Sequence, residues 1–212
     1  SGHGGSSAQS AMDTTAAGDL WNNTLGLTGG VTPAAAGDNS LYYTLPSIVD
    51  GLAVTASMAP GGAAVANSET HTSYGVVYTG VDGLTVKLGT GESGAKGAEV
   101  ESTTMMASYA YGSFTVSASN TAADKQTSSA TANREVTSYQ LAYTVSEDIS
   151  VTYGEETFDL EGSTTDEEVT GFGVSYTTGG MTVSASQINA KGGKNISTKD
   201  TDRWSLSAAF AF

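Results

Sequence analysis

Cysteine is absent from this 212-residue chain, and proline occurs only three times. Without thiols there is no disulfide framework, no thiolate metal site and no cysteine nucleophile. Positive charge is scarce as well. Eight Lys and Arg stand against 22 Asp and Glu, a formal net charge of −14 with a pI near 4.2. So few cations on so acidic a chain cannot neutralise a run of phosphates, which argues against nucleic acid as a partner. Charged residues still make up only 14% of the chain, unlike an acidic disordered tail, where charge dominates. Long apolar runs are missing too. The longest, Ala208 to Phe212, has five residues, against the roughly 20 of a spanning helix. The first residues, Ser1-Gly2-His3-Gly4-Gly5, have neither the basic start nor the apolar stretch of a signal peptide. A processed chain, or a piece of a longer one, is the expectation.

What is plentiful is hydroxyl: Ser and Thr number 57, over a quarter of the chain. From about Leu41 onward these residues alternate with apolar ones at period two. Trp204, Leu206, Ala208, Phe210 and Phe212 fall on one side of the last segment, and Ser205, Ser207, Ala209 and Ala211 on the other. Phe172, Val174 and Tyr176 repeat the pattern, as do Met181, Val183 and Ala185, and Tyr139, Leu141 and Tyr143. Strand side chains point alternately to opposite faces, so each segment reads as a β-strand with one apolar and one polar face. About eleven such segments are present, each roughly eight to eleven residues long by this pattern. Short Gly- and Asp-containing turns (47–51, 80–83, 112–113, 146–148, 178–180) alternate with long polar connections (60–72, 91–102, 120–137, 155–168, 189–202). The pattern is an up-and-down antiparallel meander.

Two architectures bury it. A soluble sandwich or lipocalin-like barrel turns the apolar face inward; a transmembrane barrel turns it to lipid and lines water with the polar face. Soluble sheets carry Lys, Glu and Arg on the wet face. Here mid-strand positions are nearly free of charge, and the charges crowd toward the connections. Ten residues at about 3.3 Å each, tilted by about 45°, rise roughly 23 Å, close to the apolar band of an outer-membrane barrel. Tyr42, Tyr43, Tyr78, Tyr111, Tyr153 and Trp204 near strand ends suit interfacial girdles. The expected fold class is therefore all-β, a transmembrane antiparallel up-and-down barrel.

The terminal strand, Arg203-Trp204-Ser205-Leu206-Ser207-Ala208-Ala209-Phe210-Ala211-Phe212, resembles the last strand of Gram-negative outer-membrane proteins, in which a terminal aromatic such as Phe212 belongs to the assembly signal. Leu41-Tyr42-Tyr43-Thr44-Leu45-Pro46, Val49-Asp50-Gly51-Leu52 and Val81-Asp82-Gly83-Leu84 resemble strand–turn–strand units of general porins, especially alphaproteobacterial ones. The resemblance covers nearly the whole chain and rests on pattern more than on an invariant motif. It implies an outer-membrane, multi-pass, homotrimeric diffusion channel for ions and small hydrophilic solutes, in contact with lipid and lipopolysaccharide, with no enzymatic activity and no cofactor. It implies sixteen strands, so the five N-terminal ones would come from a further segment or another chain. It also implies that residues 1–40 are the third, pore-constricting loop or a plug, and residues 41–212 the C-terminal barrel strands. Ala11-Met12-Asp13 and Gly18-Asp19-Leu20-Trp21 resemble that loop, which sets Asp13 and Asp19 in the constriction; a linker is the alternative. Lys87, on a polar face, is the candidate cation of the facing wall, or an ordinary lumen lysine near a rim.

Other chemistry is thin. His3 and His71 fall in polar segments and suggest neither catalysis nor metal binding, and no Ser/His/Asp grouping stands out. Glu155, Glu156, Asp159, Glu161, Asp166, Glu167 and Glu168 read as one acidic, solvated extracellular loop, with divalent-cation binding as the sharper alternative. No EF-hand spacing accompanies them, so no metal site is assigned. The net charge predicts weak cation selectivity. The competing readings are a translocator or adhesin barrel with residues 1–40 as plug, and a soluble secreted β-rich surface-binding protein.

Overall fold

Among the described residues of the computed structural model, eleven strands hydrogen-bond to their sequence neighbours in the order β1 to β11 and form one antiparallel sheet. The described residues are 41–60, 70–95, 98–125 and 133–211. The strands are β1 (Leu41–Thr44), β2 (Leu52–Ala59), β3 (His71–Tyr78), β4 (Leu84–Ala95), β5 (Ala98–Tyr111), β6 (Phe114–Lys125), β7 (Arg134–Thr144), β8 (Ile149–Leu160), β9 (Glu167–Thr178), β10 (Met181–Lys191) and β11 (Thr201–Phe210). This is the expected meander and the expected strand count. Among the described residues β1 and β11 do not pair, so the sheet is open at both edges.

Short turns hold the pattern in register. The carbonyl of Gly83 accepts from the Ala110 N–H at 2.8 Å, tying the β3–β4 turn to the next strand. Gly83 has φ +74, and a Cβ there would lie 2.2 Å from the Ala110 oxygen. Only glycine satisfies both the left-handed backbone and that approach.

The strands are longer than the apolar alternation that announces them. β4 and β5 leave only residues 96–97 between them, where a long connection over 91–102 was expected. β8 and β9 likewise run through most of 155–168, and β10 and β11 through the ends of 189–202. Backbone donors and acceptors pair as readily beyond the lipid as within it, so the ladder continues after the side-chain signal stops.

The apolar face is the exposed one. Leu206 is 67% exposed and Phe172 51%, while Val183 is half-buried. Directly opposed residues share a face, and the register joins Tyr143, Val151, Val174, Ala185 and Leu206 in one row. Tyr111, Phe114 and Tyr143 gather toward the short turns, with Phe114 and Tyr143 stacked at 4.4 Å. Tyr153, Phe172 and Trp204 form the belt toward the longer connections. Tyr42 departs from the expected girdle: it opposes Ser57 and so lies on the polar face, whereas Tyr43 opposes Ala56.

Beyond that second belt the alternation inverts. Glu155, Thr157 and Asp159 continue the outward face of β8, and Phe158 turns inward. Val169, Ile188 and Ala190 are buried together on the formerly polar face, as are Ala123, Val136 and Phe158. These two small clusters are the dry core of the described residues. Most of these residues fall in segments that the sequence pattern assigns to long polar connections (120–137, 155–168, 189–202). The strands extend through them instead and bury their apolar side chains on the inner face, while the outer face, beyond the lipid, is polar.

Candidate functional site: the hydroxyl face of the wall

Between the short turns and those buried clusters, the polar face is built of cross-strand hydroxyls. The register places Ser150, Ser175, Ser184 and Ser207 in one row across β8 to β11, and Thr152, Gly173, Ser186 and Ser205 in the next. Ser150 and Ser175 share a hydrogen bond of 2.8 Å, and so do Ser186 and Ser205. Thr177 and Thr182 are joined at 3.1 Å, and the buried Ser57 and Ser73 at 2.6 Å. Thr121 donates to Thr104 at 3.4 Å, and Ser117 to the Gln140 amide oxygen at 3.4 Å. Small side chains keep this face open, and mutual hydrogen bonding orients their hydroxyls.

Charge is partitioned between the faces. Glu92, Glu101 and Asp124 form one outward row across β4, β5 and β6, and Glu135 and Asp159 oppose each other on β7 and β8. Glu155, Glu168 and Asp202 also face outward, Glu168 against Lys191. All are exposed. Like charges directly opposed destabilise a sheet unless water and salt screen them, which places these rows above the lipid band. The Tyr153 hydroxyl donates to Glu155, joining the aromatic belt to the acidic one. On the polar face the charged residues with described side chains are Lys87, Arg134, Glu156, Glu167 and Arg203. On the described strands the carboxyls therefore lie mostly on the outer face.

The expected acidic loop is thus corrected. Only Glu161 and Asp166 lie in the β8–β9 connection; Glu156 and Asp159 belong to β8, and Glu167 and Glu168 to β9. Glu156 is 2% exposed and accepts from Ser138 at 3.1 Å. Glu167 is wholly buried; its Oε2 accepts the Lys194 N–H at 2.6 Å, and its Oε1 has no partner among the described residues. Alternation sends neighbouring carboxyls to opposite faces, so one acidic run becomes an outer belt and two inner groups.

Sequence reasoning missed the turn that meets Glu167. Gly193–Asn195 form a 3-10 turn in the β10–β11 connection, with Gly192 and Gly193 buried. The Asn195 amide donates to the Thr165 carbonyl at 3.0 Å and to that of Phe158 at 3.4 Å. Lys194 and Asn195 have positive φ, 59 and 57. The sequence signal was the Gly192-Gly193 pair followed by Asn195, a composition that tolerates left-handed backbone.

Lys87 is half-buried on the polar face of β4, between Val77 and Met106. His71, expected in a loop, begins β3, and its Nδ1 is buried without a partner among the described residues. Among the described residues no three His, Cys, Asp or Glu side chains could hold a metal ion. Asp13, Asp19, the whole 1–40 segment and Phe212 lie outside the described residues.

An antiparallel meander with lipid-suited residues on one side and hydroxyls on the other defines the wall of an outer-membrane β-barrel protein. The chain belongs to the Gram-negative porin family, whose family model matches residues 4–168. No curated protein matches it. Among solved structures it is similar to the anion-selective porin from Comamonas acidovorans, at 16% identity and TM-score 0.57 over 74% of this chain and 49% of that one. It is similar to a porin refined at 1.8 Å, at 18% identity and TM-score 0.65 over 91% of this chain and 70% of that one. OmpT, an outer-membrane protein of Vibrio cholerae, follows at 18% identity and TM-score 0.61, over 97% and 73%. The chain thus spans about half the length of the Comamonas porin and under three quarters of the others. Its family and outer-membrane location replace the soluble and translocator alternatives.

Proposed function

We propose that the chain forms the larger part of the wall of a water-filled channel through which ions and small hydrophilic solutes diffuse, with no catalytic step. The observation that carries this reading is the two-sided wall, with Leu206 and Phe172 exposed on one face and the Ser150–Ser175 and Ser186–Ser205 pairs on the other. A hydroxyl-lined lumen spares a solute the cost of losing its hydration. Open edges at β1 and β11 favour closure by further strands, five for a sixteen-stranded barrel, because unpaired backbone groups are costly in lipid. We place Asp13 and Asp19 in a constriction loop facing Lys87, and read the assembly as a homotrimer. The outward carboxyl rows would meet the headgroup layer, where divalent cations could join them to lipopolysaccharide phosphates.

Weak cation selectivity is the finer proposal. Carboxyls at the mouth raise the local cation concentration, while Lys87, Arg134 and Arg203 on the wall offset them and keep the preference small. Planar-bilayer recording tests both levels. Stepwise, voltage-independent current supports the channel, and a protein that folds into membranes yet conducts nothing refutes it. In a salt gradient the reversal potential should show modest cation preference; a clear anion preference overturns the selectivity alone.

A further inference from the structure

We infer that the hydroxyl rows of β8 to β11 form a recognition track for uncharged polyhydroxylated solutes of monosaccharide size, an inference that rests on the channel reading. A cleft of about 340 Å³ opens on these strands, at the small end of the roughly 300–1,000 Å³ of ligand pockets. Its polar lining includes Gln140, Ser150, Thr152, Ser175, Ser186 and Ser205, and none of its lining residues is charged. No aromatic ring lies on this stretch of the polar face; Phe158, the aromatic residue on that face of β8, is buried farther along it. Recognition by charge or by ring stacking is therefore unsupported here, and hydrogen bonding is the chemistry left.

The geometry suits hydroxyl ligands. Each serine has one donor and two acceptor sites. Ser150 with Ser175, and Ser186 with Ser205, spend one donor and one acceptor on each other, so each pair still offers a donor and several acceptors. A sugar hydroxyl, itself both donor and acceptor, satisfies either. A bare ion finds no countercharge. Ser150, Ser175, Ser184 and Ser207 stand one strand apart in an unbroken row, about 4.8 Å. The row of Thr152, Ser186 and Ser205 lies two residues farther along the strands, roughly 6.6 Å, so a solute moving along the wall meets the next partner as it leaves the last. Many weak sites in series hold a solute enough to enter and too little to stay.

The test compares pentose-driven swelling of proteoliposomes with KCl conductance, using the full protein. Parent protein is set against S150A/S175A/S186A/S205A, and separately against T152V, which exchanges a hydroxyl for a methyl at nearly constant volume. Pentose entry should slow about three- to tenfold, the worth of one neutral hydrogen bond, a clearly larger factor than any accompanying fall in KCl conductance. Heat-modifiable migration confirms that each variant is folded, and T152V alone should show the same direction if the quadruple variant does not fold. Pentose entry that is unaltered, or that falls only in step with KCl conductance, overturns the track while leaving the channel standing. Parent protein that passes neither refutes the channel reading and this inference with it.

Discussion

Replacing Glu167 with alanine tests whether one side chain holds the last connection against the wall. Its Oε2 accepts the Lys194 N–H at 2.6 Å in a wholly buried setting. A backbone N–H bonded to a carboxylate contributes about 1.5–3 kcal/mol. Against this stand Lys194 and Asn195 at φ 59 and 57, where a side chain costs about 1–2 kcal/mol per residue, Asn less than most. The Asn195 amide bonds to Thr165 and Phe158 return about 1 kcal/mol. The left-handed residues offset what the Asn195 amide returns, so the Glu167 acceptor is what keeps the turn closed against the wall. Losing about 2 kcal/mol raises the open population roughly 30-fold. Amide hydrogen exchange reads this directly: the Lys194 N–H should exchange roughly 30-fold faster in E167A, with strand amides such as that of Ser175 unaffected. E167Q keeps an acceptor but loses charge assistance, and should give about a fivefold increase. Gly192→Ala should free the turn with Glu167 intact, since Gly192 has φ +62 and a Cβ there would fall 2.3 Å from the Asp166 oxygen. Equal Lys194 exchange in parent and E167A would refute the clamp.

Four further substitutions test the wall. Leu206→Lys should lower stability in vesicles by about 2–4 kcal/mol, because it sets a charge on the lipid face; Ser207→Lys, one residue on, should be tolerated, and a reversed order in urea refolding contradicts the orientation. Phe158→Ala should cost about 3–5 kcal/mol if Phe158 belongs to a dry cluster, whereas a water-lining residue would cost little. Gly83→Ala should destabilise by more than about 1 kcal/mol, through the left-handed backbone and the contact with Ala110, and an unchanged urea midpoint would count against that turn geometry.

Strand number, order and facing were legible in the sequence because one solvent boundary wrote them. Val116, Val151, Val183 and Leu206 are each flanked by Ser or Thr on both sides, an alternation that sets lipid against one face of each strand and water against the other. Strand ends were not legible. Glu155 to Leu160 and Glu167 to Thr170 pair as regularly as the apolar segments, yet water surrounds that part of the wall and imposes no apolar stripe on its outer face. The acidic run looked like a loop because its residues are polar, and polarity is equally compatible with a strand outside lipid. The Glu167–Lys194 contact joins residues 27 apart through a turn, and no spacing rule reports such a meeting. The hydroxyl pairs were half legible: alternation put serines on one face, but only register chose Ser150 to meet Ser175.

The inversion of the alternation also bears on charge. Within the lipid band Val174 and Leu206 face outward; beyond it Glu168, Thr170 and Asp202 take the outward positions while Val169 and Ile188 turn in. A sheet crossing from lipid into water must turn its outer face polar, and the burial of Val169, Ile188 and Phe158 shows that the inner face is covered there. It follows that the carboxyls of the protruding segment lie mainly on the outer surface, where they act on headgroups and on the approach to the mouth. The formal charge of −14 is thus a poor guide to the field along the described inner face, whose charged groups are Lys87, Arg134 and Arg203 and the buried Glu156 and Glu167, with long stretches of hydroxyl between them. Neutralising the outer row with E101Q/D124N should accordingly leave the reversal potential within a few millivolts of the parent value at about 1 M salt, where the Debye length is about 3 Å. Removing Arg203 should move it toward cations under the same conditions. If the outer pair shifted it more than Arg203 did, the assignment of faces to lipid and water would be wrong.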